Sequence, residues 1–384
     1  MINRKKAQEI ILSKLKKNIV LKKNILLAKG YFLAQDIVAK LSQPPFDKAA
    51  MDGYTVCKNE NKKRLFITNL IAAKKSKLQK TKFSETFKIM TGAPVPAGVG
   101  SIIPKEDVKE SNSYIDFTVL PKTDNICYKG EDFKKGDILY KTGKLLDSVS
   151  IAVIKSSAID TARVFKKTKV SILTTGDEVV EKNPQYGEII NSNKTLLEGL
   201  LGNNLVLSYH ISDNKKRLKK AVKEALDCSD LIIITGGISK GDFDVVNETL
   251  TQMGGKECFN SVSIKPARPN TFFLLNEMPI FCFPGNPVAV FLSYLLFVKP
   301  SINYKAGGEF KIDTKEIKLN RGIRFNKSNR ESFIPAFIQN GTVKFFDYSG
   351  PADLFTISKS NSFLIVPPFV ERYKQNEVLE VIYY

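Results

Sequence analysis

Three patterns of apolar and polar positions follow one another along the chain. Residues 1–45 carry apolar positions at helical spacing, with Ile10, Ile11 and Leu15 on one face. The pattern stops at Pro44-Pro45, which cannot continue a helix. From Phe46 to about Leu139, short β-like runs at 64–71, 83–90, 101–103 and 113–120 are separated by Gly, Pro and Asn, which predicts a small β domain. Helical spacing returns over 147–159. From Lys169 onward, strand-like runs at 170–174, 205–211, 231–235 and 279–283 alternate with helical stretches ending near Gly202 and over 214–226, 243–253 and 287–298. Alternating strands and helices predict a parallel sheet covered by helices on both faces. Beyond Gly307 the runs shorten again, at 315–319, 333–338, 342–346, 363–366 and 378–383, which predicts an all-β end domain.

Composition narrows the chemistry. Of 384 residues, 43% are hydrophobic and 26% charged, the balance of a core-forming globular chain. The longest apolar run, 288–298, falls short of the about 20 residues that span a bilayer. Residues 1–20 hold no continuous apolar stretch of the signal-peptide kind, so a cytoplasmic protein is expected. The five cysteines form no CxxC pair, which argues against a disulfide framework or a cysteine zinc site. The single histidine, His210, argues against a Ser-His-Asp mechanism and reads as structural. Chemistry must therefore rest on carboxylates, Lys, Arg, hydroxyls, backbone amides and a hard metal.

The formal net charge of +20 favours anionic partners, nucleic acid among them. The charge is dispersed, however. In 214–226 the cations interleave with Leu218, Val222, Ala225 and Leu226, the pattern of a solvated helix face.

Three loops follow strands of the alternating region, where ligands sit in open α/β sheets. Thr174-Thr175-Gly176-Asp177-Glu178 offers hydroxyls and two carboxylates. Thr235-Gly236-Gly237-Ile238-Ser239-Lys240-Gly241-Asp242-Phe243-Asp244 offers close backbone approach to an anion, and Asp242 and Asp244 as oxygen ligands for Mg²⁺. Phe283-Pro284-Gly285-Asn286-Pro287 places Asn286 at an N-cap and Pro287 at the first helical position, a start suited to anions. Neither GxGxxG nor a Walker pattern is present. Farther out, Ser263-Ile264-Lys265-Pro266-Ala267-Arg268-Pro269 sets two cations three residues apart between prolines, and stiff cations suit an oxyanion.

Taken in order, PPFDKAAMDGYTV, MTGAPVP, GEDFKKGD, TTGDE, GGISKGDFD, IKPARP and FPGNPVAV resemble the molybdopterin molybdenumtransferase family, bacterial MoeA and the matching domain of gephyrin. The resemblance runs over about residues 3–383 and implies an α/β multidomain subunit. Its parts would be a split extended helical/β first domain (1–45 and 138–167), an inserted small β domain (46–137), a doubly wound α/β molybdopterin-binding domain (168–306) and a β-barrel-like C-terminal domain (307–384). It further implies an elongated homodimer with shared clefts, no membrane association, and transient contact with the adenylyltransferase of the pathway. The implied reaction is molybdate insertion into adenylylated molybdopterin with AMP release, assisted by Mg²⁺. The implied catalytic residues are Asp52, Glu178 and Asp244. Substrate contacts would fall on Thr91, Asp132, Thr175, Asp230, Gly236, Gly237, Ser239, Lys265, Arg268, Pro269, Arg330 and Ser349, and on Pro284, Gly285, Asn286 and Pro287. The chain departs from the family pattern at Cys127, Ser261, Ala267, Arg268 and Pro335. Two other readings stay open: a gephyrin-like scaffold without turnover, and a basic nucleic-acid binder.

Overall fold

The computed structural model describes residues 1–75, 79–238, 245–340, 342–346 and 348–384. Two compact units emerge, one of residues 1–20 with 165–384 and one of residues 21–164.

The larger unit is built on a six-stranded sheet. Its helices and strands, in chain order, begin with α1 (Arg4–Lys14), β1 (Val170–Thr175), α2 (Ser192–Leu201), β2 (Leu205–Ile211), α3 (Lys215–Cys228), β3 (Leu231–Thr235) and α4 (Val245–Gln252). They continue with β4 (Lys256–Phe259), β5 (Ile264–Lys265), β6 (Thr271–Leu275), β7 (Met278–Phe283) and α5 (Pro287–Ser293). The sheet order is β2-β1-β3-β7-β6-β4. The first four strands are parallel; β6 runs antiparallel to β7, and β4, antiparallel to β6, resumes the common direction, so the sheet is mixed rather than wholly parallel.

Every residue of β1 and β3 is buried. Successive side chains divide between two cores, as strand alternation requires. Ile172 and Ile233 pack on one face with Ala7, Ile11 and Leu15 of α1. Leu173, Ile232 and Ile234 pack on the other with α3, which buries Leu218, Ala221, Val222 and Ala225 at helical spacing. Asn214 caps α3 by accepting from the backbone N–H groups of Lys216 and Arg217.

The helical reading of residues 1–45 holds only for α1. Val20–Asn24 is a strand, and the Asn24 side chain accepts from Leu26 N to start a short 3-10 turn at Ile25–Leu27. The helical stretch expected over 287–298 runs from α5 through a π-helical turn (Tyr294–Val298) and on into α6 (Lys299–Lys305).

The C-terminal strands β8 (Thr314–Lys318), β9 (Glu331–Gln339), β10 (Thr342–Lys344), β11 (Ser362–Val366) and β12 (Val378–Tyr383) form a second sheet, ordered β5-β9-β11-β12-β8 with β10 on β9. Strand β5 comes from the cation loop before Gly307, and the helix α7 (Leu354–Lys359) interrupts the expected all-β pattern. Asp353 caps α7 by accepting from Thr356 N and Oγ1.

The smaller unit holds a six-stranded sheet ordered Val99–Pro104, Gly53–Cys57, Glu85–Ile89, Arg64–Ile71, Tyr114–Asp116 and Lys109–Glu110. A separate core of Ile25, Leu33, Ile37, Leu146, Ile154 and Val164 lies under the helix Ser148–Ser156. Asp147 and Ser150 form a capping box at the start of that helix.

Candidate functional site

Two cavities meet at the Pro284–Pro287 loop of the larger unit. One, of about 1020 Å³, lies beyond the carboxyl ends of β1, β2, β3 and β7. It is lined by Thr175, Asp177, Glu178, Asp213, Gly236 and Gly237, with Gly285, Asn286 and Pro287 on one side. The other, of about 560 Å³, is lined by Lys265, Arg268, Pro269, Pro284, Arg330 and Ser349. Asn286 belongs to both walls. Among the described residues, the first cavity is lined by three carboxylates and no cation, the second by three cations and no carboxylate.

The glycines of the first cavity are there for room. Gly236 has φ +86°, and a Cβ on it would fall 2.3 Å from the Thr175 carbonyl oxygen. Its N–H donates to Phe283 O, which ties β3 to the Pro284–Pro287 loop. Asn193 of α2 donates to Gly285 O at 2.6 Å and fixes the loop from the other side. Asn286 stands at the N-cap as expected, but its side chain makes no capping hydrogen bond.

Asp213, between β2 and α3, is a site residue that the sequence reading did not single out. Its N–H donates to Asp177 Oδ1 at 2.9 Å. Its own Oδ1 is buried without a hydrogen-bond partner. Burial, then the negative charges of Asp177 and Glu178, push its carboxyl above the ordinary carboxylate range. A lone aspartate before a helix reads as part of a cap; the signal that marks this one is its place at the carboxyl end of a parallel strand.

Asp230 does not belong with these residues. It precedes β3, whereas Gly236 follows it, so the strand's full length of roughly 17 Å separates them. There it accepts from Lys169 N and faces Lys166 at 3.8 Å.

In the second cavity the cations sit on a tightly tied loop. Ala267 has φ +75°, the left-handed backbone that glycine adopts freely. Its carbonyl accepts from the buried Asn270 side chain, and Arg268 O accepts from the backbone N–H groups of both Val262 and Asn270. Arg330, the residue before β9, donates from Nη1 to Ile264 O at 3.3 Å and joins the start of that strand to the same loop. The Ser349 hydroxyl is donated to Asp353.

With its Thr356 and Ser349 donors, the Asp353 carboxyl is held down at about 2. A depressed carboxylate contributes stability above its ordinary value near 4, and that contribution is lost as pH falls toward about 2. Asp353→Asn is expected to flatten the pH dependence of melting temperature below about pH 4, measured by calorimetry.

In the smaller unit, Asp52 Oδ1 accepts from both Thr91 N and Thr91 Oγ1, each at 2.7 Å. These bonds hold the exposed Asp52 carboxyl below its ordinary range. Asp132 is exposed, and its N–H donates to Gln43 O. Ser239, Asp242 and Asp244 lie outside the described residues. Among the described residues, no group of three or more His, Cys, Asp or Glu is set to hold a metal ion, and no helix is long and apolar enough to cross a membrane. The oxygen donors of Asp177, Glu178 and Asp213, with the unpartnered Asp213 Oδ1, nonetheless have the chemistry a hard cation takes.

The chain matches the MoeA N-terminal region (domains I and II) over residues 2–158 and a probable molybdopterin-binding domain over residues 171–304. It is 28% identical to a Staphylococcus aureus protein named molybdopterin molybdenumtransferase, over 91% of this chain and 88% of the relative. A Methanocaldococcus jannaschii protein named for molybdopterin biosynthesis is 29% identical over the same shares. Among solved structures, a MoeA molybdopterin biosynthesis protein from Pyrococcus horikoshii OT3 is 26% identical with a TM-score of 0.83, over 100% of both chains.

Proposed function

Since the chain belongs to the molybdopterin molybdenumtransferase (MoeA) family, enzymes of molybdenum cofactor biosynthesis, we propose that it inserts molybdenum from molybdate into the dithiolene of adenylylated molybdopterin and releases AMP. The observation that carries this reading is the pairing of a carboxylate-lined with a cation-lined cavity across one loop.

Molybdate is a dianion, and Lys265, Arg268 and Arg330 supply the compensating charge. Arg268 can donate two parallel hydrogen bonds where a lysine offers a point charge. The pyrophosphate of the adenylylated pterin is assigned to the Gly236-Gly237 turn and the Gly285–Pro287 helix start, whose backbone N–H groups suit phosphate oxygens. Asp213, a carboxylate in the wall of the cavity where the pyrophosphate is assigned, can accept a proton released there, and Glu178 can orient the attacking oxygen. Mg²⁺, assigned to Asp242 and Asp244, would supply charge neutralisation at the pyrophosphate.

Arg268→Ala is expected to raise the molybdate concentration for half-maximal rate about tenfold, a loss of roughly 1.4 kcal/mol. The requirement for adenylylated pterin should change much less, and Arg268→Lys should remain active. Molybdate titration at fixed pterin checks this; unchanged half-saturation in Arg268→Ala would remove the residue from the site.

Asp52 and Thr91 are assigned to the same reaction from the partner subunit of a homodimer. The support is their hydrogen-bonded pairing and their match to the family's catalytic motif. Mixing inactive Asp52→Ala with inactive Asp244→Ala subunits should restore part of the activity, because one cleft of a mixed dimer is intact. A mixture that exchanges subunits and stays inactive would refute the shared cleft. Cytoplasmic residence and transient contact with the adenylyltransferase complete the proposal, tested by cell fractionation and by co-purification.

A further inference from the structure

The strand that carries Lys265, β5, is only two residues long, and it pairs with the start of β9, Ile264 opposite Glu331 and Lys265 opposite Ser332. So short a pairing leaves the loop's position to its other ties. Two of them come from the first four residues of the chain. Ile2 bridges Val262, with Ile2 N donating to Ser261 O at 3.1 Å and Ser263 N donating to Ile2 O at 2.7 Å. Arg4 is 9% exposed and donates a two-pronged pair of bonds to Glu331, Nε to Oε2 at 2.7 Å and Nη2 to Oε1 at 2.8 Å. Its guanidinium carbon lies 6.0 Å from the centre of the Phe333 ring.

These contacts fall on residues that precede or alternate with those lining the cation-lined cavity. Glu331 is flanked by Arg330 and Ser332, which line it together with Phe333. Ile2 grips the residues that lead into Lys265. Anchoring α1 does not require the ion pair, because Ala7, Ile11 and Leu15 already fix that helix in the core. A buried ion pair is also a poor source of stability, since desolvation of both charges offsets their attraction. What it supplies is geometry, and a guanidinium fork fixes a carboxylate in distance and in plane.

We propose that Arg4, with the backbone of Ile2, is a positioning residue for the oxyanion: it sets the spacing between the Lys265–Arg268 loop and the Arg330 strand without touching the substrate. The inference rests on the transferase reading and deepens it, by assigning control of molybdate affinity to the amino-terminal segment.

The test is AMP release from adenylylated molybdopterin, titrated with molybdate, for wild type, Arg4→Lys and Arg4→Ala. Small misplacements remote from the chemistry cost up to about a hundredfold. Arg4→Lys keeps the charge but not the fork and should raise half-saturating molybdate about fivefold; Arg4→Ala should raise it about tenfold or more. Half-saturating pterin, and the rate with both substrates saturating, should stay within about twofold. Melting curves measure the folded fraction, and Arg4→Lys carries the test if Arg4→Ala does not fold. Unchanged molybdate dependence in folded variants would overturn the inference. So would a parallel fall of all parameters with the folded fraction, the mark of a merely structural anchor. A wild-type protein inactive in this assay would instead overturn the transferase reading and this inference with it.

Discussion

Asp213→Asn is expected to yield a protein that melts higher yet turns over about a hundredfold or more slowly. The two effects share one cause. The Asp213 carboxyl is pushed up by burial and by Asp177 and Glu178, and its Oδ1 lacks a partner. A carboxyl raised in the folded state favours folding only while protonated. Its contribution is present below the ordinary value near 4 and is lost as pH rises through the folded value. At neutral pH the ionised group is therefore a burden, which the neutral amide removes. Activity should move the other way, because the amide cannot carry a proton at the phosphoanhydride. Calorimetry and AMP release on one preparation check both. Unchanged turnover would take Asp213 out of the mechanism, and a lower melting temperature would contradict the electrostatic account.

Gly236→Ala should abolish ligand binding and destabilise the fold by about 2–4 kcal/mol. The added Cβ would stand 2.3 Å from Thr175 O and 2.9 Å from Thr175 Oγ1, so β1 and β3 must part where the pyrophosphate is assigned. Gly254 is the matched control. Its φ of +87° is almost the same, but a Cβ there meets nothing within 4 Å. Gly254→Ala should therefore cost only the left-handed strain, about 1–2 kcal/mol, and leave binding intact. Denaturant melts and titration with adenylylated molybdopterin separate the two; equal effects would show that conformation, not contact, governs Gly236.

The alternating region was legible because its central strands, Val170–Thr175 and Leu231–Thr235, are buried on both faces. The run Leu231–Ile234 is apolar and closes on Thr235 and a Gly-Gly turn, and the strands Leu231–Thr235 and Leu205–Ile211 fall where expected. Residues 1–45 were not, because apolar spacing alone does not distinguish a helix from short exposed strands; Val20–Asn24 is mostly exposed. The ends of the sheet explain both errors at the site. Asp230 and Asp213 each adjoin a strand; the strand expected over 231–235 already puts Asp230 at the end away from the loops, and only the family resemblance drew it into the site, whereas the burial of Asp213 does not show in a sequence. Asp213 is marked by its orphaned oxygen, Asp230 by its hydrogen bond to Lys169 at the opposite edge. The cation loop was legible as stiff, but not its ties to Ile2, Arg4 and Glu331, which join residues more than 250 positions apart.

The central claim, that the paired cavities carry out metal insertion, is tested most directly by reconstitution. Purified protein is supplied with adenylylated molybdopterin, molybdate and Mg²⁺, and AMP and molybdenum cofactor are measured together. AMP should appear in step with the cofactor and only when molybdate is present. Tight binding of adenylylated molybdopterin with no AMP released, at any molybdate concentration, would contradict the account and leave a gephyrin-like scaffold in its place.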